Sequence, residues 1–198
     1  MNRIIPLIFF ICFSVSTEAQ VGIGKINPEA DLDIASITAT EPSLGLEPKV
    51  APVGTATGQV TVIDDQLYMY DAGRTAWLTA GGVALQYGRN GNIDNERLDM
   101  GGSRANDTGY LMPFDGTIVA ITARASSNVS ANKEVEIRLR SGTTTSSAYS
   151  FNISNGTAQY SETTTNIDFS AGEYINVRGR GSIVATSLVV VLWVKWRP

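Results

Sequence analysis

The chain contains no histidine, and its one cysteine, Cys12, lies near the N-terminus. Without histidine, zinc sites, Ser-His catalysis and histidine-based proton transfer lose their commonest residue. Charged residues make up only 17% of the chain, and its formal net charge of −4 comes without any basic run. Because nucleic-acid binding depends on clustered Lys and Arg, this composition argues against nucleic acid as a partner.

Residues 1–19 have the features of a secretory signal peptide. Arg3 precedes the apolar segment Ile4–Val15, and Thr17-Glu18-Ala19 places small residues where a signal peptidase reads them. The apolar segment is shorter than the roughly 20 residues of a membrane span. We therefore expect a secreted or outer-surface protein with no transmembrane segment after cleavage. The mature chain would have no cysteine, which is ordinary for a bacterial exported protein.

Composition divides the mature chain into three segments. Residues 20–58 hold an N-terminal motif and a linker whose prolines and glycines favour extended chain. Residues 59–82 contain two β-rich runs around Asp64-Asp65, which predict a β-hairpin, and a third short strand through Trp77. Residues 83–198 carry short β-prone runs separated by Gly, Asn, Asp and Ser.

The segment 83–198 is predicted to be an antiparallel β-sandwich or jelly roll, and no segment of the mature chain has a helical pattern. In Glu134–Arg140, apolar Val135, Ile137 and Leu139 alternate with charged residues, as in a strand with one wet face. The candidate strands are residues 84–87, 96–100, 109–112, 117–125, 134–140, 148–153, 157–161, 167–169, 174–178 and 187–196. The polar stretch Ser141–Ser147 is predicted to be an exposed loop.

The last strand is apolar on both faces from Leu188 to Val194. Such a pattern indicates a strand covered on both sides. One side would be the core of its own domain, and the other a second subunit. By parity Trp193 and Trp196 lie on opposite faces. The alternative is that both tryptophans pack within one subunit. The predicted interface residues are Val190, Leu192, Trp193 and Trp196.

Two stretches resemble known families. The first is similar to a motif of bacterial secreted and phage tail-fibre-like proteins, and its residues are Val21-Gly22-Ile23-Gly24, Asn27-Pro28, Ala30 and Leu32-Asp33-Ile34. The second resembles the jelly-roll head of tumour-necrosis-factor and complement type, through Gly109–Pro113, Gly116–Ile118, Phe169–Ile175 and the apolar last strand. This resemblance implies a homotrimer in which the last strand helps to build the subunit interface.

Four arginines, Arg138, Arg140, Arg178 and Arg180, are predicted on exposed strand faces. They could form cross-strand ion pairs with Glu134 and Glu136. They could also bind an acidic sugar, because Arg binds carboxylates bidentately. Tyr149 is a candidate for stacking on a sugar ring or for burial. These five residues form the candidate ligand site.

No cofactor and no metal site is predicted. Oxygen-bearing side chains alternate along Asn90–Glu96, which fits a polar turn between strands or a calcium loop. A glycosidase needs only two carboxylates, but no pair is singled out by an apolar setting. We therefore expect no enzymatic activity.

Two functions fit these observations. The first is a secreted or surface-bound bacterial adhesion module, whose trimeric head binds a glycan or protein through several weak sites. The second is a structural subunit of an extracellular fibre with no ligand site.

Overall fold

The computed structural model describes residues 21–23, 32–34, 42, 44–101, 108–126 and 131–198. The predicted signal peptide, most of the N-terminal motif and part of the linker lie outside these residues. The chain forms two compact units, Met1–Leu46 and Glu47–Pro198. In the first unit, β1 (Val21–Ile23) and β2 (Leu32–Ile34) pair in parallel.

The second unit begins with a small three-stranded antiparallel sheet, which we call the hairpin sheet. Its strands are β3 (Val60–Ile63), β4 (Gln66–Asp71) and β5 (Ala76–Thr79). Asp64 has a φ of 54°, as a tight two-residue turn between β3 and β4 requires. Part of the predicted linker packs here, because Trp77 Nε1 donates to the Pro52 carbonyl at 2.8 Å.

Residues 83–198 form an antiparallel, jelly-roll-like β-sandwich, as predicted. Its strands are β6 (Val83–Ile93), β7 (Tyr110–Leu111), β8 (Gly116–Arg124), β9 (Lys133–Ser141), β10 (Thr144–Ile153), β11 (Gln159–Glu162), β12 (Ile167–Phe169), β13 (Tyr174–Arg180) and β14 (Ala185–Trp196). The described residues contain no helix, and so no helix among them is long and apolar enough to cross a membrane.

Two sheets face each other across the core. The first, which we call the β9 sheet, has the order β10-β9-β13-β7. The second, the β14 sheet, has the order β11-β8-β14-β6, with β12 also paired to β8. Every second side chain of these strands points between the sheets. Ile137 and Val177 from the β9 sheet and Ile121 and Leu192 from the β14 sheet are fully buried there.

The hairpin sheet is attached to the sandwich by Arg74. Its guanidinium donates to the backbone carbonyls of Val119, Thr163 and Thr165 at 3.0, 3.3 and 2.9 Å. Asp71 holds the same guanidinium in a 2.6 Å ion pair. Val119 is the extra residue at a register shift in the pairing of β8 with β14, so the bulge presents its carbonyl to Arg74.

The terminal strand differs from its prediction. Val190 and Leu192 have no exposed surface within a single chain. They fill the core between the sheets, so their side chains have no surface to offer another subunit. The opposite face of β14 is open, with Val189 49% and Trp193 45% exposed. The prediction that Val190 and Leu192 contact another subunit is therefore wrong, whereas Trp193, also predicted at the interface, lies on the open face with Val189 and Val191.

Candidate functional site

The outward side of the β9 sheet carries the predicted arginines. Strand pairing places Arg140 opposite Tyr174, Arg138 opposite Asn176, Glu136 opposite Arg178, and Glu134 opposite Arg180. We call these eight residues the arginine face. The structure thus brings together all four arginines that the sequence singled out.

Glu136 is the centre of this face and is only 4% exposed. Arg180 Nη1 donates to its Oε1 at 2.9 Å. Arg138 Nε lies 3.8 Å from its Oε2, which is an ion pair but too long for a hydrogen bond. The buried carboxylate therefore holds two arginines beside each other and neutralises one charge.

Arg138 and Asn176 form the floor of the face. The Arg138 side chain is 17% exposed, and Asn176 is 3% exposed. Among the described residues, Arg138 Nε and Nη1 and Asn176 Oδ1 have no hydrogen-bond partner. Buried polar atoms in folded proteins are nearly always paired, so these three atoms are exceptions to that rule in the interior of the face.

Arg140 differs from its prediction as an exposed residue. It is buried at 7% exposure, and its guanidinium carbon lies 5.4 Å from the centre of the Tyr174 ring. The Tyr174 hydroxyl donates to the Gly142 carbonyl at 3.1 Å, which fixes the ring. A cation held over an aromatic ring is a stabilising contact. Arg140 therefore supports the face from one end, whereas Arg178 and Arg180 form its accessible part.

Tyr149 does not belong to this face. It pairs with Ile137 in the register of β10 and β9, so it points toward the core. Its hydroxyl lies 3.1 Å from the hydroxyl of Tyr160 on β11. Burial raises the pKa of Tyr160, and the hydrogen bond to Tyr149 adds to the rise. The two tyrosines join the edges of the two sheets, so the proposed stacking role for Tyr149 is corrected to a structural one.

The outward side of the β14 sheet has a different character. Val189, Val191 and Trp193 form its centre, and we call these three residues the apolar face. Their neighbours on β6 are Gly88, Gln86 and Ala84, and those on β8 are Arg124, Thr122 and Ala120. Gly88, Ala84 and Ala120 are small, so they leave Val189 and Trp193 raised above the sheet, whereas Arg124 is a charged neighbour of Val189.

Trp196 lies on the core side of β14, on the opposite face from Trp193, as parity predicts. Its ring meets Phe169 and Phe114 edge-on, at centroid distances of 6.1 and 5.9 Å. It is half-buried against the core of its own chain. The interface role predicted for Trp196 is therefore replaced by packing within the chain.

One important residue gave no signal in the sequence. Lys133, at the start of β9, is fully buried. Its ammonium donates to the carbonyls of Asp94, Arg180 and Ile183, the last two at 2.9 and 2.7 Å. Burial lowers the pKa of Lys133, while the charges of Asp94 and Glu134 oppose that change. Lys133 ties the turn after β6 to the connection between β13 and β14.

The segment Asn90–Glu96, weighed as a calcium loop, lies partly on a strand. Asn90 and Asn92 belong to β6 and accept hydrogen bonds from Ser187 and Thr186 of β14, at 2.7 and 3.3 Å. Within the described ranges, no group of three or more His, Cys, Asp or Glu could hold a metal ion. Beside Asn90, the side chains of Arg89, Asp99 and Val189 line a shallow depression of about 360 Å³.

Among the residues that the structure describes, the carboxyl groups of Asp71 and Glu162 have shifted pKa values. Burial by itself would raise the pKa of Asp71, but the hydrogen bonds and charge of Arg74 lower it. Hydrogen bonds from Thr164 lower the pKa of the partly exposed Glu162. A general acid needs a raised pKa, so neither group has the property expected of one.

Comparison with known proteins provides little information about the family or the function of this chain. No protein-family model matches the chain, and no curated protein matches it. A chain from the acidic stable capsid structure of Helicobacter pylori bacteriophage KHP30 is similar at 9% sequence identity and a TM-score of 0.38, covering 60% of this chain and 90% of that chain. A similarity at this level carries no inference about function. The likeness of the N-terminal motif to tail-fibre-like proteins stays a prediction.

Proposed function

We propose that this chain is a secreted, non-catalytic bacterial recognition module that assembles from copies of itself through the apolar face. The observation that carries the proposal is the exposure of Val189 and Trp193, at 49% and 45%, on a regular central strand. Exposed apolar side chains grouped on one face favour contact with another protein surface. The resemblance to trimeric jelly-roll heads implies three copies.

The surroundings of the apolar face support a contact between copies. Gly88, Ala84 and Ala120, which flank the apolar face, have very small side chains or none, so a partner could approach the sheet closely. Arg124, opposite Val189, is the charged neighbour at one end. Removing this face from water requires little desolvation of charge, which is the main cost of burying a polar surface.

Assembly would give the module its binding strength. Each copy would carry one arginine face on the sheet opposite to the contact surface, because the apolar and arginine faces belong to different sheets. Several weak sites on one rigid body gain avidity through a high effective concentration. The ligand would be a glycan or a surface protein on a cell.

A structural subunit of an extracellular fibre is the second candidate. The same apolar face would favour it if the contact were head-to-tail, because contacts that do not close into a ring generate filaments. A finite assembly supports the recognition module, and open-ended growth supports the fibre.

Cysteine cross-linking tests the contact directly, because residues 20–198 contain no cysteine. Val189, Val191 and Trp193 are each replaced by cysteine in separate proteins. Around a closed symmetry axis, equivalent residues close to the axis meet. We expect at least one of the three variants to form disulfide-linked dimers under mild oxidation. Ser150→Cys, exposed on the β9 sheet, is the matched control and should stay monomeric on a denaturing gel.

Equal cross-linking of Ser150→Cys and the three test variants would indicate random collision and would contradict the proposed contact. The absence of cross-links from all three apolar-face variants would also contradict it.

A further inference from the structure

We propose that the open face of the hairpin sheet is a second contact surface between copies of this chain. We call this surface the hairpin patch, and it consists of Val60, Val62, Leu67 and Met69. The proposal rests on the assembly of copies proposed above, and it adds a surface outside the sandwich together with the partner that covers it.

The four side chains of the hairpin patch lie on one face of two neighbouring strands. In the antiparallel register of β3 and β4, Val60 pairs with Met69 and Val62 pairs with Leu67. Residues directly opposite each other in such a pair project from the same face of the sheet. Val60, Leu67 and Met69 are 48%, 46% and 41% exposed, and Val62 is half-buried. The patch is therefore one continuous apolar surface.

The other face of the hairpin sheet is covered by the chain itself. Tyr68 and Tyr70 are buried there. Gly54 of the linker lies so close to the Tyr70 ring that a Cβ atom would collide with it, and Trp77 donates to the Pro52 carbonyl. The linker thus packs on this face and leaves the hairpin patch open. A solvated face of an antiparallel sheet normally carries polar side chains, so apolar ones indicate a contact with another protein surface.

The chemistry of the patch favours a second copy as its partner. Its four side chains carry no charge and no hydrogen-bonding group, so the surface that covers them must also be apolar. The patch has a row of short valines on β3 and a row of longer side chains, Leu67 and Met69, on β4. Side chains of facing sheets interdigitate, so the longer row of one copy fits over the valines of the next. Such a contact closes into a ring when each copy repeats it.

The hairpin sheet adjoins the apolar face. Arg74 attaches it to the Val119 carbonyl of β8, and the Trp196 amide at the end of β14 donates to Thr79 Oγ1 of β5 at 3.1 Å. Both sandwich strands belong to the β14 sheet. Trp193 precedes Trp196 by three residues, which is roughly 10 Å along a strand. A copy that covers Trp193 therefore comes within reach of the hairpin sheet.

The size of the two surfaces indicates that they act together. A stable interface takes about 20–30 residues from each partner, whereas the apolar face is centred on three residues and the hairpin patch on four. Neither centre is large enough to hold two copies together by itself. A contact that extends from the apolar face to the hairpin patch covers more of each chain and buries both apolar centres.

The solution mass of residues 20–198, measured over a range of concentrations, tests the proposal. Leu67→Lys should raise the concentration at which the assembly half-dissociates at least tenfold, because the contact would bury an unpaired ammonium. Leu67→Met keeps an apolar side chain and should match the wild type. Leu111→Lys is the matched control, since Leu111 is a 67% exposed leucine on β7, outside the patch, and it should also match the wild type.

Cysteine pairs keep the test decisive if Leu67→Lys fails to fold. Residues 20–198 contain no other cysteine. Val60→Cys and Met69→Cys proteins are refolded together and oxidised mildly. We expect more disulfide-linked dimer from this mixture than from either protein alone, because the two rows come from different copies. A mixture of Met69→Cys with Leu111→Cys should stay monomeric on a denaturing gel.

The outcomes separate this contact from the assembly as a whole. A wild-type assembly that Trp193→Asp dissociates and Leu67→Lys leaves intact overturns the hairpin patch alone. An equal weakening by Leu111→Lys, or a cysteine mixture with no excess of dimer, also overturns it. A monomeric wild type overturns both proposals, and an assembly that Leu67→Lys weakens and Trp193→Asp does not supports the hairpin patch and overturns the apolar face.

Discussion

The hydroxyl of Tyr87, on β6, donates a hydrogen bond to the carbonyl of Ile175, on β13, at a distance of 2.8 Å. This bond crosses the core and joins the two sheets of the sandwich. Tyr87 is 1% exposed, so water cannot replace the bond. Burial raises the pKa of Tyr87 well above 10, and the neighbouring Tyr110 adds to the rise.

The first prediction concerns alkaline pH. Because Tyr87 keeps its proton in the folded chain while an unfolded tyrosine loses it near pH 10, its contribution to stability is complete below pH 10 and is lost as pH rises further. We expect the free energy of unfolding to fall more steeply above pH 10 in the wild type than in Tyr87→Phe. Urea unfolding from pH 8 to 11 measures both slopes, and equal slopes would contradict the assignment. At neutral pH, Tyr87→Phe should be less stable by about 1–3 kcal/mol.

The second prediction concerns the buried ammonium of Lys133. Replacing it by Met leaves the carbonyls of Asp94, Arg180 and Ile183 without this donor. We expect Lys133→Met to lower the free energy of unfolding by about 1–3 kcal/mol. Lys195→Met, a half-buried lysine on β14, should change stability by no more than about 0.5 kcal/mol. A Lys133→Met protein as stable as this control would show that the three hydrogen bonds contribute no net stability.

The third prediction concerns the attachment of the hairpin sheet. Arg74→Lys keeps the charge next to Asp71 but loses the guanidinium fork that reaches three carbonyls. We expect faster amide hydrogen exchange in β3, β4 and β5, roughly tenfold for each 1.4 kcal/mol lost, with little change in the sandwich. An equal acceleration of amide exchange in the hairpin sheet and in the sandwich would contradict a local attachment through Arg74.

The same contact predicts acid sensitivity. Arg74 lowers the pKa of Asp71 below 3.8, overcoming the opposite effect of burial. The stability from this pair is present above pH 3.8 and is lost as pH falls through the folded-state pKa. Hydrogen exchange of β4 should therefore accelerate below pH 4 relative to the sandwich strands, and Arg74→Lys should reduce that difference.

The fourth prediction separates the two sides of β14. Val190→Asp places a carboxylate in a position with no exposed surface, so it should unfold the sandwich. Trp193→Asp places the same group on the open side, so the chain should fold and the assembly should dissociate. Circular dichroism and solution mass measure the two effects. A folded Val190→Asp protein would contradict the core assignment, and an intact assembly of Trp193→Asp would contradict the contact.

Local patterns were sufficient to predict the sandwich. The alternation of Val135, Ile137 and Leu139 with charged residues depends only on the two-residue period of a strand, and the structure places all three inside. Turn residues also predicted most strand positions. The stretch Thr144–Ser147, predicted as loop, is part of β10, because the short turn at Gly142 starts the return strand early. Burial by tertiary neighbours cannot be read from such local composition.

The sites required information that one sequence does not contain. Arg138 and Arg178 come together only through the pairing of β9 with β13, which are more than 30 residues apart in the chain. Lys133 resembles any polar residue that begins a strand, yet its surroundings come from two distant connections. In β14 the residues are apolar on both faces, so the sequence pattern does not distinguish the core side from the open side. For this reason the sequence predicts Val190 at a subunit interface, whereas the structure places it in the core.

The solution mass of residues 20–198, measured by size exclusion with light scattering, tests the central claim most directly. We predict a finite mass of three copies at micromolar concentration, and a mass of one copy for Trp193→Asp. A wild-type chain that stays monomeric over that concentration range would contradict assembly through the apolar face. A mass that grows without limit with concentration would instead identify the fibre subunit.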